Sequence, residues 1–318
     1  MLQRRAGKPG RACGDTIPLV AMLRFCYVGA MHWTDRRRRF RAVLSGTRCV
    51  YPGSVFDPIS ARIAEDLGFE VGMLAGSVAS YAVLGAPDLM VLTLGELAEQ
   101  AYRICRAGNL PLLVDADHGY GNALNARRTV EELETAGVAA LTIEDTLLPT
   151  PFGALGETRL VPLEEGVGKM RAALAGRQDP SLVVVGRTSA VTATGVADAV
   201  ARAKAYEAAG VDALFLVGVR TREELEAVAA AIKLPLILGG AGPALMEPDY
   251  LSAKGVRICL QGHQPFLAAV RAVHETLKAL RGGTPPAEIA ATAAPELMRR
   301  LTREEAYRGW MQDFLGGR

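Results

Sequence analysis

Leu110-Pro111-Leu112-Leu113-Val114 runs directly into Asp115-Ala116-Asp117-His118-Gly119-Tyr120-Gly121-Asn122. The first five residues are continuously apolar, as expected of a parallel strand covered on both faces. The run then breaks into acids and glycines, and an amphipathic stretch follows. Outward from here the same theme recurs in apolar runs at 49–56, 70–76, 110–115, 139–145, 181–187, 212–217, 234–239 and 256–261. The stretches between them have helical spacing: 95–106 carries Leu97, Ala98, Ala101, Tyr102 and Cys105, and 196–209 carries Val200, Ala203 and Ala208. Gly68, Gly137, Gly210 and Gly255 stand just before the next run, where a helix ends in a left-handed cap. This alternation predicts an α/β fold, a closed (β/α)8 TIM-type barrel. The competing open doubly wound sheet lacks its glycine fingerprint after the first strand.

Outside the repeat, residues 35–44 form a helix expected to cover the barrel floor, with the arginine run 36–39 as a solvated face. Residues 1–30 resemble a signal peptide superficially, but Arg24 interrupts the apolar part. They are read as disordered or as an upstream extension, with Met31 as the start. The barrel domain is assigned to 31–281. Gly282-Gly283-Thr284-Pro285-Pro286 opens a linker, and extra C-terminal helices fill 282–318, suited to packing on a neighbouring subunit.

Composition narrows the functional classes. Thirty-six Lys and Arg face 34 Asp and Glu, a net charge of +2, which leaves no electrostatic footprint for nucleic acid or an anionic membrane. Beyond the N-terminal region no segment has the ~18 uninterrupted apolar residues of a membrane span. The five cysteines are scattered without a CxxC pair, which fits free thiols in a reducing cytoplasm.

In such a barrel the working residues lie at the C-terminal strand ends. The third strand ends in Asp115 and Asp117 and the fourth in Glu144 and Asp145, so four carboxylates are expected to converge at one rim. Acids so crowded call for a cation. Oxygen ligands without Cys point to Mg²⁺, with Mn²⁺ possible. Asp115 is expected to bind it directly, and Asp117, Glu144 and Asp88 through water. Arg187, at the fifth strand end, offers a fork for a substrate carboxylate. Ser77 on the second and His263 on the eighth complete the substrate-binding candidates. The bland readings are acids that cap helices, an arginine that pairs with them, and a structural histidine. His32, His118 and His274 are left unassigned.

Ser54-Val55-Phe56-Asp57-Pro58, Gly76-Ser77-Val78-Ala79-Ser80, the 115–121 stretch, Thr142-Ile143-Glu144-Asp145 and Gly186-Arg187-Thr188 together resemble the isocitrate lyase / phosphoenolpyruvate mutase superfamily from about residue 41 to 280. The resemblance implies a Mg²⁺-dependent barrel that works on C–C or P–C bonds through a pyruvate enolate. It also implies a homodimer or homotetramer with a C-terminal helix swapped between subunits. Isocitrate lyases carry a Lys-x-Cys-Gly-His loop after the fourth strand, whereas here residues 147–156 contain no Cys, Lys or His. The stretch 117–125, Glu164-Glu165-Gly166-Val167-Gly168-Lys169 and Gly262-His263 resemble the oxaloacetate decarboxylase branch. That branch has a Tyr after the seventh strand and Asn at the position of Ser189; here the loop is Gly239-Gly240-Ala241-Gly242.

The expected activity is decarboxylation of oxaloacetate, a small anionic keto acid, to pyruvate and CO₂. Asp115 anchors the metal, Ser77 and Arg187 hold substrate oxygens, and His263 positions the far carboxylate. Water is the default proton donor to the enolate. The alternatives are a lyase, mutase or hydrolase of the same superfamily acting on a phosphonate or another keto acid, and a non-catalytic barrel that binds metal and ligand.

Overall fold

The computed structural model describes residues 33–154, 156–289 and 292–316. The readings of residues 1–30 and of Met31 lie outside them. In chain order the elements are α1 (Trp33–Ser45), β1 (Gly53–Ser54), α2 (Pro58–Asp66), β2 (Gly72–Leu74), α3 (Gly76–Leu84), α4 (Leu94–Cys105), β3 (Leu112–Asp115), α5 (Ala123–Thr135), β4 (Ala140–Glu144) and α6 (Leu163–Gly176). They continue with β5 (Val183–Thr188), α7 (Ala190–Ala193), α8 (Val196–Ala209), β6 (Ala213–Leu216), α9 (Arg222–Ala229), β7 (Leu236–Leu238), α10 (Pro248–Ala253), β8 (Val256–Cys259), α11 (Gln264–Arg281), α12 (Pro295–Thr302) and α13 (Glu304–Leu315).

All eight strands pair in parallel and in sequence order. The sheet closes at a bridge between Val50 and Ile258, where Val50 N–H donates to the Arg257 carbonyl (2.9 Å) and Cys259 N–H to that of Val50 (3.0 Å). The (β/α)8 expectation therefore holds.

Period two explains the continuous apolar runs. Val183 and Val185 point into the barrel with Leu113, Ala213, Phe215, Ile237 and Ile258. Leu182 and Val184 point outward against the helices with Leu112, Val114, Leu141 and Leu214. Both faces are buried, so no position in a strand interior has to be polar. The same parity sends Asp115, Glu144 and Arg187 inward at the strand ends.

The arginine run is the first correction. Arg36 and Arg37 are buried, whereas Arg38 and Arg39 are exposed as expected. Phe40 is fully buried with the inward-facing residues. Around it the arginines bind the chain where it enters the strands. Arg36 Nη1 donates to the Cys105 carbonyl (2.5 Å), and Arg37 reaches the carbonyls of Val138 (3.0 Å) and Glu134 (2.6 Å) and Asp179 Oδ2 (2.8 Å). Arg39 donates to the Asn109 carbonyl, and Arg41 bonds Ser181 O (2.8 Å), Leu182 O (2.9 Å) and Asp212 (3.0 Å). Carbonyls left over where connecting segments enter strands need donors, and a guanidinium supplies up to five. A charge pattern along the sequence does not reveal that demand.

α11 follows the last strand but buries none of its residues. Leu267, Val270, Val273, Leu277 and Leu280 are exposed along it, and Tyr307, Trp310, Met311, Phe314 and Leu315 along α13. Among the described residues no helix is long and apolar enough to cross a membrane.

Candidate active site

The second strand delivers its chain straight into a helix. α3 begins at Gly76 after Ala75, with no side-chain cap. The first N–H groups of α3 therefore face the barrel mouth without an intrahelical partner, and Ser77 sits among them. Gly76 is there for space. A Cβ at this position would lie 2.7 and 2.9 Å from the two carboxylate oxygens of Asp117. The carboxylate of the third strand end thus packs on the bare backbone of the second.

The loop after β3 turns sharply to bring this about. Asp117 and Tyr120 both have left-handed backbone, with φ of 47° and 59°. Such residues concentrate at functional sites because the strain needs support from the surroundings. The support is visible: Asp117 N–H donates to Asp115 Oδ1 (3.2 Å), and Glu144 N–H donates to the Asp117 carbonyl (2.8 Å).

Asp115, Glu144 and Arg187 meet at the centre. Arg187 Nη1 lies 2.5 Å from both oxygens of Asp115, and Nε lies 3.1 Å from Glu144 Oε2. Thr142 Oγ1 donates to Asp115 Oδ1 (2.9 Å). Beneath the guanidinium lies the Phe215 ring, 5.5 Å from its centroid. Arg187 is thus tied to the acids as well as placed at the mouth. Burial works against its charge, but Asp115, Glu144 and Asp117 outweigh burial and hold it above the usual arginine range.

One guanidinium does not balance this rim. Burial, then the charges of Asp115 and Glu144, push the Asp117 carboxyl well above its ordinary value. Burial also raises Glu144, against the pull of Arg187. Asp88 stands exposed on the loop between α3 and α4, and partial desolvation followed by the Asp115 charge raises it too. Among the described residues no three His, Cys, Asp or Glu side chains converge tightly enough to hold a metal by protein atoms alone. That donor set fits a hard ion taking one or two carboxylates directly and keeping its waters. Among the described residues the buried Asp117 carboxyl has no cationic side chain in ion-pair contact, and it is the group such an ion would return to its charged form.

Asp145 overturns the expectation of four converging acids. Following Glu144 on the strand, it points to the opposite face, away from the mouth. There it accepts from Tyr206 Oη (2.7 Å) and Arg202 Nη1 (3.1 Å) on α8. The role of this buried network is to lock β4 to α8 beside Glu144. Sequence reasoning passed over Arg202 and Tyr206 altogether, because they are helix residues far from any motif. Lys169 was noted only within a motif, yet it is buried on α6 and its pKa is lowered by desolvation. Neighbouring His118 is buried, its Nδ1 unpartnered, and burial brings its pKa down to about 4.

His263 stands at the N-cap position of α11 without a side-chain bond to the helix, half-buried, and its Nδ1 lies 3.0 Å from Ser54 Oγ on β1. Gly262, with φ of 83°, makes the turn that swings His263 back from the end of β8. Burial lowers the pKa of His263, partly opposed by Asp115. Burial therefore favours the neutral imidazole. Ser54 is a further functional candidate that the sequence reading did not single out.

The family profile of phosphoenolpyruvate phosphomutase matches residues 40–281. A curated relative from Bradyrhizobium diazoefficiens, named oxaloacetate decarboxylase, is 60% identical over 286 residues, which cover 90% of this chain and 99% of the relative. Among solved structures, phosphoenolpyruvate phosphomutase from Streptomyces platensis aligns with a TM-score of 0.79 at 27% identity, covering 88% of this chain and 99% of that one. Phosphonopyruvate hydrolase, solved in complex with oxalate and Mg²⁺, aligns with a TM-score of 0.76 at 31% identity, covering 88% and 99%.

Proposed function

Because the chain belongs to the phosphoenolpyruvate phosphomutase family, within the isocitrate lyase / phosphoenolpyruvate mutase superfamily, we propose that it is a carboxy-lyase converting oxaloacetate to pyruvate and CO₂. The observation that carries this reading is the Asp115–Arg187–Glu144 cluster beside the excess acid of Asp117, at the mouth of a barrel whose relatives bear that name. Asp115 would hold Mg²⁺, or Mn²⁺, directly, with Asp117, Glu144 and Asp88 around its waters. The ion, when bound, supplies Lewis-acid stabilisation of negative charge on a carbonyl oxygen.

The chain's own residues do the rest. Nη1 of Arg187 is hydrogen-bonded to Asp115 and Nε lies at ion-pair distance from Glu144 without a hydrogen bond, which leaves Nη2 to bind a substrate oxygen. Ser77 and the open N–H groups of α3 receive the C1 carboxylate. His263 receives the C4 carboxylate through Nε2. The C3–C4 bond breaks, its electron pair moves into the C2 carbonyl, and CO₂ leaves. The resulting pyruvate enolate takes a proton at C3 from water. No nucleophile is required, which accords with the absence of Cys, Lys and His from 147–156.

We assign catalysis to the barrel, 31–281, and assembly to 282–318. α13, within that segment, buries none of its residues and leaves Tyr307, Trp310, Met311 and Phe314 exposed, which supports its exchange with a second copy in a homodimer or homotetramer. The free Cys49, Cys105 and Cys259 support a reducing compartment, the cytoplasm.

The test is pyruvate formation from oxaloacetate with and without Mg²⁺, corrected for decarboxylation by the metal alone, in wild type and Asp115→Ala. Metal-dependent turnover lost in the variant is expected. No turnover above background in wild type overturns the reading and directs the search to phosphonates and other keto acids.

A further inference from the structure

Within the site Ser54 has no assigned task. It lies on β1, buried, and its hydroxyl is 3.0 Å from His263 Nδ1. Among the described residues that is the hydroxyl's one side-chain partner, so its proton is free to be given to the ring. His263 Nε2 makes no hydrogen bond to a described residue, and it is not sealed from solvent. One edge of the imidazole is therefore anchored on the barrel wall, and the other is left for the mouth.

A serine hydroxyl can serve Nδ1 in two ways, donating to a bare nitrogen or accepting from a protonated one. The choice sets the opposite edge: a neutral imidazole has one N–H, and the bond made by one nitrogen decides what the other carries. If Ser54 accepted, Nε2 would present a lone pair toward the acid rim and toward an anionic substrate. If Ser54 donates, Nε2 presents N–H. Arg187 and the open N–H groups of α3 stand at the same mouth and suit an anion, and an anion is hydrogen-bonded by an N–H at Nε2, not by a lone pair.

We infer that Ser54 is a positioning residue, which donates to His263 Nδ1 and so fixes the Nε2–H tautomer that binds the outer carboxylate of the substrate. This rests on the oxaloacetate reading for the identity of the ligand, but the tautomer itself does not. The seam of the barrel makes the arrangement possible. β1 and β8 are first and last in the chain, and closure brings Ser54 beside a residue 209 positions away.

The experiment is long-range ¹H–¹⁵N correlation NMR on the full chain labelled at histidine nitrogens, without substrate and at a pH where His263 is neutral. The His263 signals are those lost in His263→Asn. Wild type is expected to show a protonated Nε2 and an unprotonated, hydrogen-bonded Nδ1. In Ser54→Ala the two tautomers should mix, and KM for oxaloacetate should rise roughly tenfold with kcat moving less. Ser54→Thr keeps the hydroxyl and should restore both readouts. A protonated Nδ1 in wild type overturns the inference, as does an unchanged tautomer in folded Ser54→Ala. The wild-type spectrum decides even where Ser54→Ala does not fold. Absence of oxaloacetate turnover in wild type would overturn the proposed function and leave the tautomer to be judged from the spectra.

Discussion

Replacing Arg187 by Met separates the two cationic demands of the site. The side chain is of similar length, so the change removes charge and hydrogen bonds with little loss of volume. In wild type Arg187 sits 2.5 Å from Asp115 and 3.1 Å from Glu144, and its own side chain is only 18% exposed. Removing one partner of such a pair leaves carboxylates buried without compensation, at a cost of about 3–5 kcal/mol. For a chain of this size that corresponds to a fall in Tm of roughly 5–8 °C. The loss should depend on metal. A divalent ion satisfies the same carboxylates, so Mg²⁺ should raise the Tm of the variant more than that of wild type. It should depend on pH as well. Asp117 and Glu144 have folded-state pKa values raised above their unfolded values. Groups raised in this way stabilise the fold below their unfolded pKa and lose that contribution as pH rises through the folded pKa. Without Arg187 the values rise further, so the deficit of the variant should shrink toward acid pH. Thermal denaturation followed by circular dichroism, in chelator and in saturating MgCl₂, reads all three effects. A variant as stable as wild type in chelator, or one stabilised no more than wild type by Mg²⁺, would refute this account of the rim.

Two further perturbations test the scaffold. Gly76→Ala places a methyl 2.7 Å from an Asp117 oxygen; Mg²⁺-dependent turnover should fall by about 10²-fold with the fold retained, and steady-state kinetics beside a circular dichroism spectrum check it. Arg37→Ala removes hydrogen bonds to Val138 O, Glu134 O and Asp179; chemical denaturation should show a loss of about 3–5 kcal/mol with unchanged kcat and KM. Against its desolvation, hydrogen bonds from Ser181 and Arg37 hold Asp179 below the ordinary carboxylate range. The stability it confers is therefore present above its unfolded pKa and lost as pH falls through the folded one, so the cost of Arg37→Ala should diminish in strong acid.

The barrel was legible in the chain because its signal is local. A strand buried on both faces must be apolar at consecutive positions, and Leu182 to Val185 declares this within four residues. The acids and Arg187 were legible for the same reason: each ends a run, and barrel geometry sends strand ends to one rim. The direction of Asp145 was not, although it follows from counting parity along β4. Glu144 turns in and Asp145 turns out to Tyr206 and Arg202. Arg36 and Arg37 of α1 gave no sign of burial, because what holds them is backbone carbonyl from segments 69 to 101 residues away. The pairing of Ser54 with His263 belongs to closure of the barrel alone. Apolar periodicity and strand-end chemistry are properties of a short stretch of chain, and the sequence determined them by itself. Which polar groups meet depends on distances across the closed sheet, and those exist only once the hydrophobic runs have packed.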